Sequence, residues 1–307
     1  MKRPLIHLGL HRTGSTWFQQ HVLDGRDGRP FNTLPDRAES AARIVLPREL
    51  DFDADSTRRW IQERIAEVEH QGSSVIISNE RFSGNPASGW SDAERNVRRL
   101  ASLVPEARIL LVVREQHALV RSIWLQQVRI GGISGIEDFL RPLDSGDHRL
   151  PAFDPEFLGF DRFVNLLDRV FGAENVLVLP FEGLRDDPAR HLARIEEFSK
   201  IPLPPPPDTG PIFSAPPLLE AAVLRRVNLL AVRSSLHRAP PFPSLAGPGR
   251  RIARAIGRIA TESGETRRRS HADRIIKKRL SDLDLPGSNR RLSSRIGLDL
   301  SAFGWPT

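Results

Sequence analysis

The apolar positions of this chain fall into short runs separated by longer stretches of helical spacing. Leu5 to Leu10 reads as a buried strand that breaks at Gly9 and passes through a polar loop, before apolar residues return at Trp17 and Phe18 in a helix from Ser15 to Leu23. Ser74–Ser78, Arg108–Val113 and Asn175–Leu179 have the same strand-like character. Between them lie helical patterns at Thr57–His70, Asp92–Leu103, Gln116–Val128, Ile136–Leu140 and Phe157–Phe171, with a further helix opening at Pro188. Residues 31–56 are polar and irregular, with a weak helical stretch over Asp36 to Ile44. Four strands alternating with helices predict an α/β fold, with a P-loop-NTPase-like parallel sheet flanked by helices.

The pattern changes after residue 200. Ile201 to Pro217 is rich in proline and marks a linker, and Leu218–Leu236 resumes helical spacing. Arg251–Ile259 sets Ile252, Ala255, Ile256 and Ile259 on one side and arginine on the other. The expectation is a helix that packs these apolar residues on its own domain and solvates its basic face; a membrane-surface helix is the less favoured alternative. The division that follows is a core over residues 1–200, then a Pro-rich linker and a basic, helical C-terminal lobe over 201–307 that completes the same fold. No internal repeat is present.

Charge sharpens this division. The net charge is +7, yet Arg250 to Arg295 alone contains 14 Lys+Arg against 5 Asp+Glu, so the basic excess belongs to the C-terminal lobe. No aromatic residue lies in that interval and no nucleic-acid motif accompanies it, so nucleic acid is not the expected partner. An anionic glycan or a membrane surface suits the lobe better. Cysteine is absent, which excludes a disulfide framework, a thiolate zinc site and a cysteine nucleophile. The apolar run behind Met-Lys-Arg is too short for a signal-peptide core, and no later run reaches membrane-spanning length. A cytoplasmic protein is expected, with a peripheral place at the inner membrane face left open.

The chemistry concentrates at the first loop. Gly9 to Thr16 has the pattern G-x-x-x-x-G-S-T. Gly14 lets the backbone curl, Ser15 and Thr16 add hydroxyls, and the first amides of the following helix carry a partial positive charge, which together form an anion cradle. A triphosphatase would carry lysine where Ser15 stands and a magnesium-holding aspartate at a neighbouring strand end. Neither is present, and the cation has moved to Arg12. Arg114 ends the third predicted strand, and Ser122 follows just over two helical turns later. A cation and a hydroxyl so placed can grip a second phosphate, separate from the first, which suggests a nucleotide phosphorylated at two places.

Arg12-Thr-Gly-Ser-Thr-Trp17 resembles the 5′-phosphosulfate loop of the sulfotransferases that use 3′-phosphoadenosine 5′-phosphosulfate (PAPS), commonly Lys-Ser-Gly-Thr-Thr-Trp. Arg114 with Ser122 resembles that family's 3′-phosphate motif in residue type and spacing. Weaker similarity to bacterial members extends over Arg129-Ile-Gly-Gly with Phe139-Leu140, Asn175-Val-Leu-Val-Leu with Phe181-Glu182, and the C-terminal Ser288-Asn289, Gly297-Leu-Asp-Leu300 and Phe303-Gly-Trp305. Arginine for lysine at position 12 keeps the charge but not the contacts, and the chain has no tyrosine, which is unusual for the family.

The resemblance implies PAPS as co-substrate and transfer of its sulfuryl group in line to an acceptor hydroxyl or amine on a glycan, glycolipid or small metabolite. Arg12 and the amides of Thr13, Gly14, Ser15 and Thr16 would stabilise the departing phosphate oxygen, with Trp17 closing the motif; Arg114 and Ser122 would read the 3′-phosphate, and no metal would be needed. Glu80, just past the second predicted strand, is the first choice of base; its plainer role is an ion pair with Arg81 or Arg114. His11, His117, Asp24 and Asp36 are the other candidate bases. The basic runs Arg267–Arg269 and Lys277–Arg279 could close over the 3′-phosphate or remain solvated. Two other readings stay open: a kinase of nucleotides or sugars with an altered phosphate loop, and a nucleotide-binding protein without catalysis.

Overall fold

The computed structural model describes residues 3–23, 30–34, 36–141, 153–207, 217–233 and 239–307. Five strands make one sheet: β1 (Leu5–Gly9), β2 (Phe31–Thr33), β3 (Ser74–Ser78), β4 (Arg108–Val113) and β5 (Val176–Pro180). Their order is β2-β3-β1-β4-β5 and every pairing is parallel. β1 therefore lies at the centre, with Leu5 opposite both Ile76 of β3 and Arg108 of β4. The chain turns to one side of β1 for β2 and β3 and to the other for β4 and β5. In an open parallel sheet such a reversal leaves a crevice at the carboxyl ends of the strands.

The first half carries helices α1 (Ser15–Trp17), α2 (Arg37–Ser40), α3 (Ala54–His70), α4 (Ala93–Leu103), α5 (Gln116–Arg129), α6 (Ile136–Phe139) and α7 (Phe160–Phe171). After β5 come α8 (Phe181–Asp186), α9 (Pro188–Ser199), α10 (Leu218–Ala231), α11 (Ala246–Arg258), α12 (Glu262–Arg279) and α13 (Leu285–Ile296). Successive strand residues face opposite sides of the sheet. Ile6, Leu8, Ile77, Ile109 and Leu111 thus join one core with Ile61 of α3, Leu100 of α4, Leu119 of α5 and Leu167 of α7. Leu5, Ile76, Leu110, Val112 and Leu179 join a second core with Trp17, Phe18 and Val22 on one side and Leu184 and Leu192 on the other.

Several elements differ from the expectation. β2 is a fifth strand, only three residues long and buried at Phe31 alone, so it has no periodicity to read. The helix expected over Ser15–Leu23 is α-helical only to Trp17 and continues as a π-helix over Phe18–Leu23. The wider turn sets Phe18, Val22 and Leu23, four and five residues apart, against the sheet. Gly159 splits the helix expected from Phe157 into a 3-10 turn, Pro155–Leu158, and α7. The linker residues 208–216 and the expected end of the helix at Leu236 lie outside the described residues.

The C-terminal helices are keyed to the sheet by buried polar contacts. Gln116 and Asn289 exchange hydrogen bonds of 2.6 and 3.3 Å, and Asn289 also donates to the Pro306 carbonyl at 2.6 Å. Trp305 Nε1 donates to Glu182 at 3.1 Å, while the Glu115 amide donates to the other Glu182 oxygen at 3.1 Å. Residues beside Arg114 are in this way tied to the tail of the chain.

The second core also holds two titratable rings. His7 lies in β1, with Nδ1 2.9 Å from Ser78 Oγ and its ring edge-on to Phe18, and His191 is buried on α9. Burial pushes the His7 pKa down to about 4 and the His191 pKa to about 3, with Arg194 and His7 adding to the latter. The unfolded chain therefore takes up these protons at a higher pH than the folded one, so stability present above pH ~6.5 is lost as pH falls toward the folded values. Urea unfolding should show roughly 2 kcal/mol less stability per imidazole at pH 5 than at pH 7.5. A free energy that stays flat over this interval contradicts the placement of both rings.

Candidate active site

The loop between β1 and α1 is shaped by three residues of positive φ: Gly9 at 88°, Arg12 at 65° and Gly14 at 91°. Arginine rarely adopts such a backbone, and here it turns the Arg12 carbonyl toward β4. Arg114 Nη1 donates to that carbonyl at 2.9 Å. Arg12 Nε donates to Ser122 Oγ at 3.0 Å, on the first turns of α5. Arg12, Arg114 and Ser122 thus form one hydrogen-bonded unit, where the spacing in sequence suggested two separate grips. The cause is the strand order: β1 and β4 are neighbours, so their carboxyl-end loops touch.

The electrostatics of this unit are those of partly buried cations. Burial, helped by Arg12 and Arg121, brings the Arg114 pKa down to about 10 against the opposing pull of Glu182 and Glu115. Arg12 is lowered by burial and by Arg129. Among the described residues neither Arg12 nor Arg114 makes an ion pair, and Arg114 Nε is buried with no hydrogen-bond partner. Arg114 instead lies 4.7 Å over the Phe181 ring. Arg121 is paired with Asp273 of α12, which is where the basic C-terminal lobe meets the site. Glu115 holds the start of α5 by accepting from the His117 and Ala118 amides at 3.0 and 2.7 Å. Burial alone would raise its pKa, but these bonds and the one to the His117 ring hold it below the ordinary value.

The remaining loop residues divide by orientation. Thr13 and Ser15 are buried and turn their hydroxyls inward, donating to the Leu10 carbonyl at 2.7 and 3.2 Å. Thr16 is exposed at the start of α1. Trp17 is packed in the second core beside His21, with its Nε1 buried and unpartnered. The amides that open α1 lack carbonyls one turn earlier in the helix.

Glu80 reaches the site from the other side of β1. A Cβ built on Gly9 would come within 3.0 Å of Glu80 Cβ, so the absent side chain at Gly9 is what admits Glu80 to the loop. One Glu80 carboxylate oxygen pairs with Arg37, a partner that the sequence did not suggest, and Oε2 is buried without a partner. His11 Nε2 lies 3.0 Å from the Gly84 carbonyl and so carries the proton, and burial holds its pKa near 4. His117 is bonded to Glu115 through Nδ1 at 2.6 Å. Asp36 caps α2 through the Ala38 amide, and Asp24 lies outside the described residues. The residues missed in sequence are Arg37 and Arg121, while Phe181 and Glu182 were noted there only within the weaker resemblance and without a place beside Arg114; each is brought in by packing between distant elements. Trp124 and Val128 border a cavity of about 120 Å³ with Ala87, Gly132, Ile133 and Phe139, while Leu125 is packed in the core.

A sulfotransferase from Alicyclobacillus acidocaldarius superimposes with a TM-score of 0.54 over 99% of this chain and 100% of its own, at 15% identity. This chain has the sulfotransferase fold. More distant are mouse sulfotransferase SULT7A1 complexed with PAP (TM-score 0.36, 12% identity, 96% of this chain and 90% of that one) and the sulfotransferase domain from the curacin biosynthetic pathway (0.37, 10%, 97% and 99%). No family model and no curated protein matches the sequence.

On this sulfotransferase fold, Gly9 is predicted to be irreplaceable for local reasons. Gly9→Ala combines a positive φ with a Cβ pressed on Glu80, and should cost about 1–3 kcal/mol in urea unfolding. A loss below about 0.5 kcal/mol would mean that Glu80 does not approach the loop as described.

Proposed function

We propose that this protein is a PAPS-dependent sulfotransferase that moves a sulfuryl group to an acceptor hydroxyl or amine. The observation that carries the reading is the part-buried pair of Arg12 and Arg114, neither in an ion pair among the described residues, at the crevice end of β1 and β4. Guanidinium groups held this way favour a dense anion with oxygens in more than one direction, and a doubly phosphorylated adenosine supplies two such groups. The residues fit that ligand: Arg114 Nε is an unused buried donor, the Ser122 hydroxyl accepts from Arg12 and keeps its own proton to donate, and the opening amides of α1 add dipolar donors.

PAPS supplies an activated sulfur with a phosphate leaving group. Arg12 and the opening amides of α1 stabilise the charge that grows on the 5′-phosphate oxygen as its bond to sulfur breaks and the electron pair stays with oxygen. Arg114 and Ser122 read the 3′-phosphate, and Arg114 also holds the loop through the Arg12 carbonyl. Glu80 Oε2 takes the acceptor proton while its other oxygen is oriented by Arg37. The position at which a triphosphatase loop carries lysine is Ser15, whose hydroxyl is turned to the Leu10 carbonyl.

Calorimetric titration of 3′,5′-diphosphoadenosine and of adenosine 5′-phosphate tests the anion assignment. Arg114→Ala should weaken both, since Arg114 supports the loop, but the diphosphate at least tenfold more. Equal losses remove Arg114 from the 3′-phosphate. Glu80→Gln should lower turnover with labelled PAPS by roughly 10²-fold or more while leaving diphosphate affinity within about threefold. Full turnover in that variant would remove Glu80 as the base.

A further inference from the structure

The C-terminal lobe leaves an apolar surface uncovered. Nine large hydrophobic side chains are exposed among the described residues, and six of them lie between residues 229 and 259. The cause is the way α11 packs. Its apolar isoleucines were expected to face the protein, but the side against α10 is Gly249, Ala253 and Gly257, one helical turn apart, of which Ala253 and Gly257 are buried. A Cβ on Gly249 would come within 2.5 Å of Val227, and one on Gly257 within 2.8 Å of Glu220, so α11 lies against α10 at a distance only small residues allow. Ile252 and Ile259 are turned out instead, 56% and 76% exposed. Leu245 stands seven residues before Ile252, as Ile259 stands seven after it, so the three form one stripe along the helix. Phe242 extends the stripe, its amide bonded to the Leu230 carbonyl at 2.8 Å and its carbonyl to the Leu245 amide at 3.0 Å.

Charge decides what covers this stripe. Arg250, Arg251, Arg254 and Arg258 are all exposed on the same helix. From Ala221 to Thr261 the sequence has eight arginines and no Asp or Glu in 41 residues. A second copy meeting the same patch would set these arginines against their own kind, and a purely polyanionic partner would leave the isoleucines and Phe242 in water. A surface that is apolar at depth and anionic at its rim satisfies both. We propose that α11 and the preceding turn dock the protein on an anionic phospholipid bilayer, with Leu245, Ile252, Ile259 and Phe242 in the acyl boundary and the arginines at the phosphates. At about 100° per residue Arg251 and Arg258 lie on the flank of the apolar stripe, and Arg250 and Arg254 on the far side, from which long side chains can reach toward headgroups. No described helix is long and apolar enough to cross a membrane, so this is attachment to a surface. The inference does not depend on the sulfotransferase reading.

Flotation of the full chain with vesicles tests it, using phosphatidylcholine alone and phosphatidylcholine with 30% phosphatidylglycerol. The bound fraction should be at least tenfold larger on the anionic vesicles and fall sharply in 0.5 M salt. Ile252→Ser with Ile259→Ser should lower binding at least tenfold with an unchanged Tm, because neither side chain is in the core. Arg250→Gln, Arg251→Gln, Arg254→Gln and Arg258→Gln together should abolish the preference for anionic lipid. Equal binding to both vesicles, no binding, or wild-type binding by the isoleucine variant overturns the proposal. A dimer in sedimentation that dissociates in the isoleucine variant, without vesicle binding, assigns the stripe to a second copy and overturns it too.

Discussion

Two guanidinium groups held partly out of water near one another are unfavourable unless the surrounding structure holds them there, and the contacts around Arg12 and Arg114 do so. Arg12 disfavours the charge of Arg114, Arg129 that of Arg12, and burial disfavours both. The positive φ of Arg12 aims its carbonyl at Arg114, Phe181 supports the second guanidinium from beneath, and Ser122 engages the first from α5. Such an arrangement stores electrostatic potential for an incoming anion, in the way preorganised donors serve a developing charge.

The supports extend outward through polar contacts that would be costly to bury unpaired. Glu182 carries a pKa raised by burial, yet it accepts from the Glu115 amide and from Trp305, which fixes where α5 begins relative to the end of the chain. Asn289 of α13 does the same for Gln116. The C-terminal lobe is thus attached to the residues that immediately follow Arg114, and Asp273 of α12 attaches it again at Arg121. The same part of the chain carries the uncovered stripe of α11, packed on α10.

Where the sequence was misleading, local pattern and packing disagreed. Residues 262–279 are polar nearly all round, with only Ala272 and Ile276 buried, so α12 has no apolar stripe to betray it and is held by neighbours. In α11 the apolar stripe was real but pointed outward, because close approach to α10 selects small side chains and overrides hydrophobicity as a guide to the buried face. Glu80 was legible as a polar residue past a strand end, whereas its partner Arg37 lies 43 residues away and is brought near by the β2 excursion.

By itself the sequence determined the alternation of four of the five strands with helices, the two glycines of the first loop and the place of Arg12 in it, since these are written in local periodicity or residue type; spacing set Ser122 with Arg114, whereas the structure bonds Ser122 to Arg12. Only the tertiary structure decided that β1 lies between β3 and β4, and strand order cannot be read from strands that are each a short apolar run. That order joins Arg12, Arg114 and Ser122 into one unit and brings Glu80 to Gly9 from the opposite side. The candidate site is a property of which strands are neighbours, and neighbours in a parallel sheet are chosen by packing over the whole chain.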